Sequence, residues 1–94
     1  RSVELKDHTV AANGTWHVDG RVYFQIVDGS QAAPALGRLE ETVAEELDRL
    51  LPEFLPEHRN DPNEAFNQAL KQSLNARLRR RGILVARTQI QAAA

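Results

Sequence analysis

Between Thr15 and Asp28 the chain alternates between apolar and polar residues, and that stretch limits the fold more than any other. Trp16, Val18, Val22, Phe24 and Ile26 hold even positions, with Gly20 in the gap, while His17, Asp19, Arg21, Tyr23 and Gln25 hold the odd ones. Successive side chains of a strand point to opposite faces, so this period predicts one long strand with a buried face and a wet face. Gly20 in its middle predicts a bulge or bend. Asn13-Gly14 is a hairpin signal that pairs this strand with an earlier one over 3–12, where Val3, Leu5 and Val10 are apolar and His8 is an expected interruption. Asp28-Gly29 ends the long strand.

Helical periods follow. Leu36, Leu39, Val43, Leu47 and Leu50 recur at spacings of three and four, one face of a first helix starting near Pro34. Glu40, Glu41, Glu45 and Glu46 are expected on its solvent side. Pro52 predicts a break near Leu51, and Pro56 a second stop, with Phe54 and Leu55 pinning the corner between them. Asp61, Pro62 and Glu64 read as cap, first position and capping-box partner of a second helix. Its stripe is Phe66, Ala69, Leu70, Leu74 and Leu78, with Ala76 alongside. Gly82 is its expected left-handed stop, so about twenty residues at ~1.5 Å each give a rod of ~30 Å. Ile83, Val85, Thr88 and Ile90 form a last strand whose phase slips by one residue after Val85, which predicts a bulge. Ala92–Ala94 reads as a frayed tail. The expectation is a single α+β domain over residues 1–94. It is a small, mostly antiparallel sheet in β-β-α-α-β order with two helices packed on one face.

The 94 residues contain no cysteine, which removes disulfides, thiolate metal sites and a cysteine nucleophile. The chain begins at Arg1 and has no methionine, so it is expected to be a piece of a longer protein. No apolar run approaches the ~20 residues of a membrane span. Charge is uneven: residues 31–61 carry three basic and eight acidic side chains, residues 62–94 six basic and one acidic. Catalysis needs a nucleophile, a base and an orienting group at one place. His8, His17 and His58 fall in different elements and read as solvated; Ser2, Ser30 and Ser73 lack a nucleophile-elbow context. The consecutive pairs Glu40-Glu41 and Glu45-Glu46 diverge by about 100° around a helix, so they form a charged face. No catalytic residue, cofactor site or metal site is expected, and the chain reads as non-enzymatic.

Arg77, Arg79, Arg80 and Arg81 are the candidate interaction surface, with Glu41 and Glu45 as its acidic counterpart. Cations in a helix's last turn also complement its dipole, by ~0.3–1 kcal/mol each. Few aromatics are present for base stacking, so the arginines read first as a site for anionic lipid head-groups or an acidic patch on a neighbouring subunit, and only after these as one for nucleic acid. Trp16 reads as core.

With the order of elements fixed, the chain resembles the stomatin–prohibitin–flotillin (SPFH, or band 7) superfamily. The strand Val18-Asp19-Gly20-Arg21-Val22-Tyr23-Phe24-Gln25-Ile26-Val27-Asp28 is similar to that family's long strand. Leu51-Pro52-Glu53-Phe54-Leu55-Pro56-Glu57-His58-Arg59 is similar to its inter-helix turn, and Leu74, Leu78, Gly82-Ile83-Leu84-Val85 and Ile90 to its closing segment. The likeness covers about residues 8–91. The connection from Asp28 to Leu39 is shorter than usual, and Asp48, Arg49 and Leu50 replace an Arg-x-x-x-Gly pattern, so the chain is identified as a divergent member. The resemblance implies a non-enzymatic scaffold domain of a membrane-associated protein, with membrane anchor and coiled coil in flanking segments. Its implied partners are further copies of itself and other membrane-associated proteins. The residues alone leave two other readings open: a ligand-binding or regulatory module with an apolar pocket between sheet and helices, and nucleic-acid binding through Arg77–Arg81.

Overall fold

A computed structural model describes residues 1–94, with the side chains of Ala35 and Leu36 outside the described residues; the expected burial of Leu36 lies there. Strands β1 (Ser2–Ala11) and β2 (Thr15–Ile26) form the hairpin, and β3 (Ile83–Ala93) joins the other side of β2. The sheet is antiparallel, in the order β1-β2-β3. Between β2 and β3 come a one-turn helix α1 (Gly29–Ala32), a 3-10 turn (Ala33–Arg38), helix α2 (Leu39–Glu57), helix α3 (Asn63–Leu78) and a 3-10 turn (Arg79–Arg81). This is the α+β arrangement expected. α3 lies against β3 and α2 against β1, and no helix is long and apolar enough to cross a membrane.

The alternation of β2 is realised as read. Trp16, Val18, Val22 and Phe24 are buried against the helices, and the Trp16 indole donates to the Ala12 carbonyl at 2.9 Å. β1 carries the bulge that flips its parity. Leu5 pairs with Gly20 and His8 with Val18, so Lys6 and Asp7 together oppose Asp19. Asp7 takes φ 49° there and donates its N–H to the Asp19 carboxylate at 2.7 Å. The interruption thus falls one residue before His8, and it explains why Val3 and Leu5 share the core with Val10 and Ala12. Gly20 is not itself the bulged residue. A Cβ at its φ of 138° would stand 1.9 Å from the Gln89 carbonyl oxygen, so glycine is required where the main chain of β3 lies against it. The bulge expected after Val85 is present: Tyr23 pairs with Arg87 and Phe24 with Val85, leaving Ala86 over.

Several expectations need correction. Neither proline breaks α2, which runs through both. Each ring removes one donor from the helix, Pro52 toward the Asp48 carbonyl and Pro56 toward that of Pro52. Asp48 is exposed and both prolines are half-buried, so the two rings sit at the margin of the helix's buried face. Asp61 does not cap α3 and no capping box forms; its carboxylate is held by His58 Nδ1 at 2.7 Å. α3 spans 16 residues, not about twenty, because Arg79–Arg81 tighten into the 3-10 turn before Gly82 (φ 74°). Ala76 is exposed and Ala69 half-buried, which leaves Phe66, Leu70, Leu74 and Leu78 as the buried stripe. The tail is not frayed through its length, since Ala92 pairs with Val18 and Ala93 with His17.

Candidate functional site

Glu46, expected in solvent, is 5% exposed. Its carboxylate sits where α2 meets the end of α3. Arg49 Nη1 donates to Oε1 at 3.2 Å, and Arg81 Nη2 stands 3.8 Å from the same oxygen. Arg77 Nη1 is 3.8 Å from Oε2, which accepts no hydrogen bond. Arg77 and Arg81 are four residues apart, so they leave α3 and its 3-10 extension in the same direction. Three guanidiniums therefore converge on one buried carboxylate, and the cluster ties the two helices together.

The other predicted residues are placed elsewhere. Arg38 Nε donates to Glu41 at 2.9 Å and its Nη2 to Glu45 at 3.4 Å. That bond with Glu41, and then the negative charges of Glu41 and Glu45, raise the Arg38 pKa above its ordinary value. The acidic helix and the basic helix end thus meet inside one chain, through Glu46, whereas Glu41 and Glu45 have an internal partner of their own. Arg79 and Arg80 are exposed and make no ion pair among the described residues.

Each histidine faces a carboxylate. His8 Nε2 lies 3.0 Å from Asp48, joining β1 to α2; His17 Nδ1 lies 3.1 Å from Asp7, across the bulge. His58, paired with Asp61, also stacks on Phe54 with ring centroids 4.0 Å apart. These pairs lie in three separate regions, and no three potential metal ligands converge among the described residues.

The reading from sequence missed two asparagines of α3. Asn67 Oδ1 accepts from the Ile90 N–H at 2.7 Å while its Nδ2 donates to the Ile90 carbonyl at 2.9 Å. Asn75 does the same to Val85, at 2.7 and 3.1 Å. The Thr88 hydroxyl donates back to the Asn67 carbonyl at 2.6 Å. A carboxamide offers an acceptor and a donor side by side, as a strand's main chain does, so these side chains pair the outer edge of β3 where another strand would add. Their sequence signal is the spacing of eight, each one residue past a buried member of the α3 stripe, Phe66 or Leu74. Between α3 and β3 an open groove of about 560 Å³ follows this edge, lined mainly by polar residues. The layer between sheet and helices is filled by the core cluster. At its margin Trp16, Leu55, Phe66 and Ala92, with four polar residues, line a cavity of about 190 Å³, smaller and more polar than the apolar pocket expected of a ligand-binding module.

No family model matches the chain, and a search of curated proteins returns no match.

Proposed function

We propose that this chain is a scaffold domain of the SPFH kind, non-enzymatic, that associates with further copies and with other membrane-associated proteins. The observation that carries the reading is the sheet's second face. Both helices pack on one side, and on the other β2 presents Arg21, Tyr23 and Gln25, flanked by Glu4 of β1 and Arg87 of β3. Arg21 pairs with Glu4 across the strands. Three strands at ~4.8 Å spacing and ~11 residues of ~3.3 Å give a face of roughly 500 Å². A stable complex of standard size covers about 800 Å² per partner. One such face supports weak side-by-side contact, and flanking segments supply the remaining area and the membrane attachment. Arg79 and Arg80, without ion pairs among the described residues, are the residues offered to anionic head-groups in this reading.

Sedimentation velocity combined with amide chemical shifts recorded over a concentration series tests it. The expected outcome is a monomer at micromolar concentration, with shifts near millimolar confined to Arg21, Tyr23, Arg87 and their neighbours. A tight, large oligomer of the isolated chain, or shifts confined to the helices, would overturn the proposal.

A further inference from the structure

The groove beside β3 holds four charged side chains, Asp19, Glu64, Lys71 and Arg87. None forms an ion pair among the described residues. Asp19 accepts the Asp7 N–H, and Arg87 donates to the Gln89 side-chain oxygen at 2.7 Å once that amide is turned to face it. Unlike charges elsewhere on this small protein have found one another, as Arg38, Glu46 and Arg21 show. These four have not, because the fold sorts them by sign to opposite ends.

Register fixes the sorting. α3 runs antiparallel to β3, since Asn67 holds Ile90 and Asn75 holds Val85. Lys71 lies between those two points, level with Arg87. Glu64 lies one turn before Asn67, toward Gln91, and Gln91 is the cross-strand partner of Asp19. One end of the groove is therefore doubly cationic and the other doubly anionic. Along the helix the seven residues from Glu64 to Lys71 cover about 10 Å at ~1.5 Å each. Along the strand the four from Arg87 to Gln91 cover about 13 Å at ~3.3 Å each.

The floor between the ends is partly main chain, open at Thr88 and covered by Asn67 at Ile90. Ile90 turns its N–H and C=O outward to Asn67, and Thr88, two residues earlier with no bulge between, turns its own the same way. No side chain among the described residues bonds the Thr88 N–H or C=O, whereas Ile90 and Val85 are both paired by asparagines. Asn63, Gln68, Gln89 and Gln91 stand around this gap, each with a donor and an acceptor suited to amide groups.

We infer that the groove binds a short peptide with free termini, in extended conformation and antiparallel to β3. Its α-carboxylate lies at Lys71 and Arg87, and its C-terminal residue pairs with the Thr88 main chain. The residues before it pass over the Asn67 side chain, which already fills the edge at Ile90, and bring the α-ammonium to Glu64 and Asp19. Three or four extended residues span roughly 10–14 Å, which matches the separation of the charged ends. The volume of about 560 Å³ lies in the ordinary range for a small ligand. This inference does not rest on assembly; only Arg87 is shared with the face proposed for contact between copies, so Thr88, Gln68 and Gln91 distinguish the two.

The test is a titration of the ¹⁵N-labelled chain with tetraalanine, followed by amide shifts, beside N-acetyl-tetraalanine amide and free alanine. Tetraalanine should move Thr88, Arg87, Gln68 and Gln91, and capping both termini should weaken binding by about tenfold or more. Free alanine, too short to reach both ends, should leave those amides in place. Lys71→Ala with Arg87→Ala should weaken tetraalanine by about tenfold while barely affecting the capped peptide. Glu64→Gln should weaken the uncapped form alone. All three positions lie outside the core, so an unchanged thermal midpoint is the control on folding, and a variant that fails it is replaced by Lys71→Gln. Equal binding of capped and uncapped peptides, shifts mapping elsewhere, or no shift up to about 10 mM peptide would overturn the inference.

Discussion

Replacing Asn67 by leucine keeps the number and branching of the side chain's heavy atoms, at a somewhat larger volume, and removes both of its polar atoms. Three hydrogen bonds disappear: the two to Ile90 and the one from Nδ2 to the Asn63 carbonyl at 3.0 Å. Asn67 is 9% exposed and Ile90 fully buried, so the Ile90 N–H and C=O lose their partner at a site that water reaches poorly. A buried group left unsatisfied costs about 1–3 kcal/mol. Two such groups set a range of about 2–6 kcal/mol, and since β3 is an edge strand that can shift toward solvent, about 3 kcal/mol is expected. For a domain of this size each kcal/mol lowers the thermal midpoint by roughly 4–8 °C, so the loss should be on the order of 10–20 °C.

Urea unfolding followed by circular dichroism gives the free energy, and amide exchange at Ile90 locates it. Asn67→Asp separates donor from acceptor. Its carboxylate still accepts the Ile90 N–H but faces the Ile90 and Asn63 carbonyls, where only the protonated form can donate. The folded state therefore raises the pKa of this new carboxyl above its unfolded value. Stability is greatest below about pH 4, the unfolded carboxyl range, and falls as pH rises through the folded pKa. The variant should resemble the parent in acid and the leucine variant at neutral pH. An Asn67→Leu chain within about 0.5 kcal/mol of the parent, or an aspartate variant insensitive to pH, would refute the view that this amide satisfies the strand edge.

Two further outcomes follow from the packing. Gly20→Ala should destabilise by at least about 3 kcal/mol, combining a strained positive φ with a backbone clash, because the new carbon would lie 1.9 Å from the Gln89 oxygen; the urea midpoint checks it. Glu46→Gln keeps the shape but leaves Arg49, Arg77 and Arg81 without their shared anion. Since those guanidiniums are about half exposed, the loss should be only about 1–2 kcal/mol at low salt. The gap should narrow near 1 M salt, where charges are screened beyond ~3 Å.

What the sequence revealed and what it concealed divide by range of interaction. The β2 alternation, the slip after Val85 and the left-handed Gly82 are local, and each was readable from a few neighbouring residues. The β1 bulge was legible too, because Val3 and Leu5 are odd and Val10 even, and all three can share a face only if one residue is added between. Glu46 could have been found: it lies three residues after Val43 and four before Leu50, on the apolar stripe itself. What makes that position tolerable for a carboxylate is Arg77 and Arg81, some thirty residues away, which no helical period announces. The prolines misled for the converse reason. Their cost depends on whether water reaches the carbonyls four residues earlier, and that is a property of how α2 sits on β1. Of the candidate surface, sequence grouped four arginines that the fold divides: Arg77 and Arg81 turn inward to Glu46, while Arg79 and Arg80 stay outside.

The two rims of the sheet limit how any assembly can be built. On the β3 side, asparagine amides occupy Val85 and Ile90, and only the short gap at Thr88 is left. On the β1 side, the extra residue at Lys6–Asp7 interrupts the run of main-chain groups, and Glu4, Lys6 and Asp7 set charges along it. Bulges and charges on an edge oppose continuous pairing with another chain. A ladder across copies is thus blocked on one rim and cut into fragments on the other. Side-by-side association of the kind proposed must then use side chains on the open face, where contact is broad, polar and reversible, and a single bridging strand would find room only for a few residues.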